Sequence, residues 1–186
     1  MTYTHNTTKG KLSVYVLNNT LDQSTSSTSY VDYQINAGNE TLVNQFSAQV
    51  TVDDTNNRIQ LPQGKFYLDA RLMIKRASLS NWGGEYIWYT WDGSSKTNIG
   101  YEGREVGATA IGNPHKSEHA RAYVESNGTE IIGLSWKSID GSLIEASDTQ
   151  YDEYVGQSRL MIWKIEWLLL QHLRLIIIIM HFQEAM

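Results

Sequence analysis

Residues 65–76, KFYLDARLMIKR, alternate apolar and polar side chains without a break. Phe66, Leu68, Ala70, Leu72 and Ile74 fall on one side, and Tyr67, Asp69, Arg71, Met73 and Lys75 on the other. A period of two over ten residues does not fit a helix face, which repeats every 3.6 residues. It predicts one long strand with a single buried face.

The rest of the chain up to residue 166 reads the same way. Further strands are predicted over 12–17, 29–35, 41–52, 58–61, 119–125, 131–136 and 159–166, with two more on either side of Asp92-Gly93. The inward sets are Ala120, Ala122 and Val124 in one, and Ile132, Leu134 and Trp136 in another. Asp92-Gly93, Asn127-Gly128 and Asp140-Gly141 suit two-residue hairpin turns, because those turns need positive φ. Ser, Thr, Asn and Gln make up 54 of 186 residues, and only 19% are charged. That balance suits strands and turns better than helices. The count of about nine or ten strands points to an antiparallel sandwich or barrel. The Ser/Thr-rich stretch 21–29, LDQSTSSTS, reads as a flexible link. The organisation expected is an N-terminal arm with the first strands (1–55), a β-sandwich domain (56–167) and an apolar ending (168–186).

Several function classes drop out. There is no cysteine, so a disulfide scaffold, a thiolate metal site and a thiol nucleophile are excluded. The net charge of −5 offers no basic stripe for nucleic acid. The opening MTYTHNTTKGKLS has no apolar run, so no secretory signal is expected. The N-x-[ST] triplets at Asn6, Asn18, Asn39 and Asn127 are therefore expected to be unused.

Catalytic and metal motifs are weak. His115 and His119 stand four apart, but Pro114 and the adjoining strand argue against a zinc-binding helix. Asp53-Asp54-Thr55-Asn56-Asn57 is oxygen-rich yet lacks the ligand spacing of a calcium loop, so a hydrogen-bonded turn is expected. Asp148, Asp152 and Glu153 could pair as acid and base, with a solvated loop as the plainer reading. The glycine-rich stretch 100–112 does not lead into a helix and is not a phosphate cradle. No cofactor or metal is expected.

Two groups of residues stand out as candidate contact sites. The first is the aromatic cluster Trp82, Tyr86, Trp88, Tyr89 and Trp91. Alternation puts Tyr86 and Trp88 on one face and Tyr89 and Trp91 on the other, so one set belongs to the core and the other to the surface or an interface. Flat rings with a polar tip can stack on sugars, which makes Trp82, Trp88, Tyr89 and Trp91 candidate glycan or receptor contacts. The second is the ending from residue 167 to 182, WLLLQHLRLIIIIMHF, in which 12 of 16 residues are strongly apolar. It is the helix candidate of the chain, and Gln171, Arg174 and His181 share an arc of about 80° on a helical wheel. A membrane span needs about 20 residues with few polar groups. This one is shorter and carries Arg174, so a membrane role is not expected and a protein partner is. Trp163, Trp167, Leu168, Leu169, Leu173, Ile176, Ile177 and Met180 are the candidate oligomer or capsid interface.

Three stretches together resemble one family. IQLPQGKFYLDA at 59–70, the Trp91-Asp92-Gly93 turn, and GQSRLMIWKI at 156–165 are similar in order and spacing to compact jelly-roll domains of tailed-phage virion proteins. Those domains are akin to the tumour-necrosis-factor (TNF) and complement-globular-head group. The resemblance covers about residues 57–166. It implies a jelly roll of two antiparallel sheets, a tight homotrimer and no enzymatic activity. The chain departs from the family in lacking a fibre shaft, in its first 55 residues, and in continuing past the closing strand.

The function expected is therefore a non-enzymatic structural protein of a phage virion surface. It would be assembled in the host cytoplasm, as a trimeric knob or decoration that contacts other capsid or tail proteins. The alternative is a tail-fibre tip or receptor-binding module that grips a host surface glycan.

Overall fold

A computed structural model describes residues 13–19, 23–35, 40–41, 50–76, 82–107, 116–146 and 158–165. Among these every regular element is a strand. In chain order they are β1 (Ser13–Asn19), β2 (Gln23–Thr25), β3 (Val31–Asp32), β4 (Glu40–Thr41), β5 (Thr51–Asp53), β6 (Arg58–Gln60), β7 (Gln63–Arg71) and β8 (Ile74–Arg76). There follow β9 (Trp82–Trp91), β10 (Lys96–Gly107), β11 (Lys116–Glu118), β12 (Ala120–Asn127), β13 (Ile131–Ser138), β14 (Ile144–Ala146) and β15 (Ser158–Ile165).

The strands form two antiparallel layers. One runs β4-β1-β15-β7-β12, and the other runs β10-β9-β13-β6-β5, with β3 also on β13 and β11 on β10. A small sheet, β2-β14-β8, is not hydrogen-bonded to either layer, but its Ile74, Ile144 and Ala146 pack into the same core. The layers join where β10 touches β12, through the pair Tyr101 and Arg121. At that point β10 bulges, spending Ile99 to Gly103 against only Trp88 to Tyr86 of β9. Gly100 makes the crossing, with φ of +74°; a Cβ there would sit 2.0 Å from the Arg121 carbonyl oxygen. Only a residue without a side chain fits such an approach at positive φ.

The core lies between the layers. Phe66, Leu68, Ala70, Ala120, Ala122, Val124, Leu160 and Ile162 of the first layer meet Ile59, Tyr86, Trp88, Ile132, Leu134 and Trp136 of the second. Alanines on β7 and β12 leave room for the large rings of the facing layer, as dense packing requires. Trp88 Nε1 donates across the gap to the Ala120 carbonyl at 3.1 Å, and Tyr86 Oη to the Glu118 carbonyl at 2.7 Å. Tyr33 packs edge-on against Trp136, with centroids 5.7 Å apart.

The inward sets expected on 65–76, 119–125 and 131–136 are all buried. The jelly roll of two antiparallel sheets is as expected. Three local expectations are corrected. The long strand breaks after Arg71, where the Met73 N–H turns to the Ser158 hydroxyl at 3.0 Å, although Leu72 and Ile74 stay buried. Of these three pairs of residues, only Asp92-Gly93 closes a hairpin, joining β9 to β10 through the four-residue turn from Asp92 to Ser95 rather than a two-residue one. Asn127-Gly128 and Asp140-Gly141 have glycines at positive φ, but β12, β13 and β14 are not paired with one another, so each turn carries the chain between sheets. Finally, Gln23–Thr25, read as part of a flexible link, is a strand paired with β14. Residues before 56 supply strands to both layers, since β1 pairs with β15, β3 with β13 and β5 with β6.

Candidate functional site

The outer faces of the two layers differ in kind. On the second layer polar groups close over the sheet. Glu85 lies between Lys137 at 3.0 Å and Arg104 at 3.6 Å. The Lys137 ammonium stands over the Tyr30 ring, and the Tyr30 hydroxyl donates to Glu102 at 2.5 Å. Burial first, and Glu102 second, push the Tyr30 phenol well above its ordinary pKa.

Further along, Asp32 and Lys96 pair at 2.5 Å, with Lys96 over the Tyr89 ring. Arg58 stacks on Trp91, its guanidinium 3.7 Å from the ring centroid. This cation–π contact occupies a face that a sugar would need. Two of the four rings expected as glycan contacts are enclosed. Trp88 lies in the core and Tyr89 is buried beneath the Asp32–Lys96 pair, so neither ring is offered to a ligand. Trp91 is half-buried under Arg58. The Trp82 side chain lies outside the described residues.

The first layer is open. Trp163 of β15 lies opposite Tyr67 of β7, and Tyr67 lies opposite Tyr123 of β12. The three form one row across the sheet, on the face turned away from Phe66, Leu68, Val124 and Ile162. Tyr67 is 36% exposed and Tyr123 50%, with Trp163 half-buried and Ile165 exposed beside them. Above the row, Lys65 pairs with Glu125 at 2.6 Å, and Tyr123 donates to the same carboxylate at 2.9 Å. These contacts hold the Glu125 carboxyl below its ordinary range, the Lys65 bond first. Below the row, Asp69 takes His119 Nδ1 at 2.7 Å and faces Arg121 Nε at 4.0 Å. Next come Arg71 and Arg159, directly opposite one another.

Of the expected interface residues, Trp163 belongs to this face. Trp167, Leu168, Leu169, Leu173, Ile176, Ile177 and Met180 lie outside the described residues, as do His115, Asp148, Asp152 and Glu153. Asp53 forms a closed turn, its carboxylate accepting the Asn56 backbone and side-chain N–H groups at 3.1 and 2.7 Å. Among the described residues no group of three His, Asp or Glu could hold a metal ion, and no helix is long and apolar enough to cross a membrane. Sequence reasoning missed Tyr123 as a surface aromatic and missed its register with Tyr67. The alternation within β12 shows that Tyr123 faces outward, but which residue stands beside it depends on pairing across 56 positions of chain.

The fold is a TNF-like jelly roll. The chain is similar to murine APRIL, with a TM-score of 0.51 and 10% identity over 83% of this chain and all of that one. It is similar to the Eiger TNF of S. frugiperda, with a TM-score of 0.51 and 10% identity over 83% of this chain and 93% of that one. At this identity the likeness concerns the fold. No family model and no curated protein matches the sequence.

Proposed function

We propose that the chain is a non-enzymatic structural protein that assembles as a homotrimer through the outer face of β15, β7 and β12. Its setting is the surface of a tailed-phage virion, where it forms a knob or decoration on the capsid. The Trp163–Tyr67–Tyr123 row carries the assembly reading. Large rings in register on an open sheet face form an apolar patch suited to a protein contact, with polar pairs at its margin. The contrast with the second layer supports the choice of face, because there ion pairs already cover the rings. The motifs at 59–70, 91–93 and 156–165 support the virion setting.

Light scattering on the purified chain tests the assembly. A mass three times the 21.2 kDa chain is expected; a single-chain mass overturns it. Electron microscopy of particles labelled with an antibody to this chain tests the setting. Label on the capsid is expected, and capsids without label overturn it.

A further inference from the structure

We infer that the end of this same face, at Arg71 and Arg159, is a cationic contact that receives carboxylates from a second copy of the chain. This deepens the assembly proposed above and rests on it.

Arg71 and Arg159 are direct cross-strand partners, and both are exposed. Like charges placed opposite one another on a sheet face disfavour the pairing. His119 precedes Ala120, the partner of Ala70, and so falls beside Arg71. Among the described residues Asp69 stands on the row before them, and His119 and Arg121 already share it. Two further guanidinium groups thus follow an acid whose contacts are already taken, in a chain with 20 acidic and 15 basic residues.

In open water such a row is tolerated, because solvent screens it. Its position makes it informative. The Met161–Asp69–Arg121 row alone separates it from the rings, so a partner that covers Trp163 and Tyr67 reaches the arginines too. Covered guanidinium groups need acids with good geometry, and a carboxylate can bridge two of them in a fork. A second copy brings an excess of acid, which makes it the complementary occupant. The row then acts in opposite directions: it weakens the free chain slightly and strengthens the assembly.

Sedimentation equilibrium of the full chain tests this, comparing wild type with the double variant Arg71→Gln/Arg159→Gln at low and high sodium chloride. Melting temperatures of both are taken at dilutions where they are single chains. Wild-type association is expected to weaken about tenfold from low to high salt. The double variant is expected to associate about tenfold more weakly at low salt, with little further loss on adding salt, and to melt no lower than wild type. Salt-independent assembly that is equally tight in the variant overturns the inference and leaves the trimer standing. A wild type that stays a single chain at every salt concentration overturns both. A lower melting point for the dilute variant also overturns the inference, because the arginines would then be satisfied within their own chain.

Discussion

Tyr89 of β9 lies directly opposite Gly133 of β13, and its ring lies across the space that a side chain would fill. A Cβ on Gly133 would meet the Tyr89 hydroxyl at 2.3 Å and ring carbons at 2.4 and 2.8 Å. The glycine makes the burial of this outward-facing tyrosine possible, with Lys96 and Asp32 closing over it. Gly133→Ala is therefore expected to cost about 1–3 kcal/mol in urea unfolding, as overpacked sites do. Stability equal to wild type would show that the ring moves aside freely.

The Tyr89 hydroxyl is buried near Asp32 and Arg58 without a hydrogen bond of good geometry to either, and burial first, then Asp32, push its pKa well above that of a free phenol. Removing a buried, unsatisfied hydroxyl relieves a desolvation cost. Tyr89→Phe is expected to be neutral or to raise stability by about 1 kcal/mol in the same urea titration. A loss of that size would mean that the hydroxyl has a partner.

The crossing of β10 between layers has no slack at Gly100. Gly100→Ala places a methyl against the Arg121 carbonyl and also strains a residue at φ of +74°. A loss of at least about 3 kcal/mol is expected, seen as a collapsed melting transition or as insoluble chain. A well-folded variant with a wild-type melting point would contradict the bulge geometry.

Trp88 ties the layers together by its volume and by its bond to the Ala120 carbonyl. Trp88→Phe leaves a cavity and an unpaired carbonyl, for a combined loss of about 2–4 kcal/mol by denaturant unfolding. A change under half a kilocalorie would place this side chain outside the core.

Acid should weaken the β9–β10 hairpin. The Asp92 carboxylate accepts the Ser95 and Ser94 N–H groups and both hydroxyls, which hold it well below the ordinary carboxylate range. A depressed pKa adds stability that is present above the unfolded value, near pH 4, and is lost as pH falls through the folded one. The stability gap between wild type and Asp92→Asn is expected to be widest near neutral pH and to shrink below about pH 4. A gap that is constant from neutral pH to strong acid would contradict this.

Much of the fold was legible because alternation is a local property. Phe66 to Ile74, Ala120 to Val124 and Ile132 to Trp136 all sorted to the correct face from spacing alone. Turn chemistry marked where the chain changes direction, but not where it goes next. Asn127-Gly128 and Asp140-Gly141 look like Asp92-Gly93 in sequence, yet they carry the chain between sheets. That choice is made by long-range packing, such as the burial of Ile144 and Ala146 in the small sheet. The site was legible only in part for the same reason. Trp163 was visible as a closing-strand aromatic, whereas its place in a row with Tyr67 and Tyr123 depends on register between distant strands. Tyr89 misled because an outward position is normally exposed, and here Gly133, Arg58 and Lys96 enclose it.

The central claim is that the aromatic face of β15, β7 and β12 is covered by neighbouring copies. The chain has no cysteine, so a single introduced thiol reports on its own surroundings. Maleimide labelling of Tyr123→Cys, compared with Ser94→Cys on the exposed hairpin turn, reads the coverage of the face directly. The Ser94→Cys thiol is expected to react at once, while the Tyr123→Cys thiol is protected until the assembly is diluted apart. Equal, immediate labelling of both at concentrations well above that dilution would contradict it.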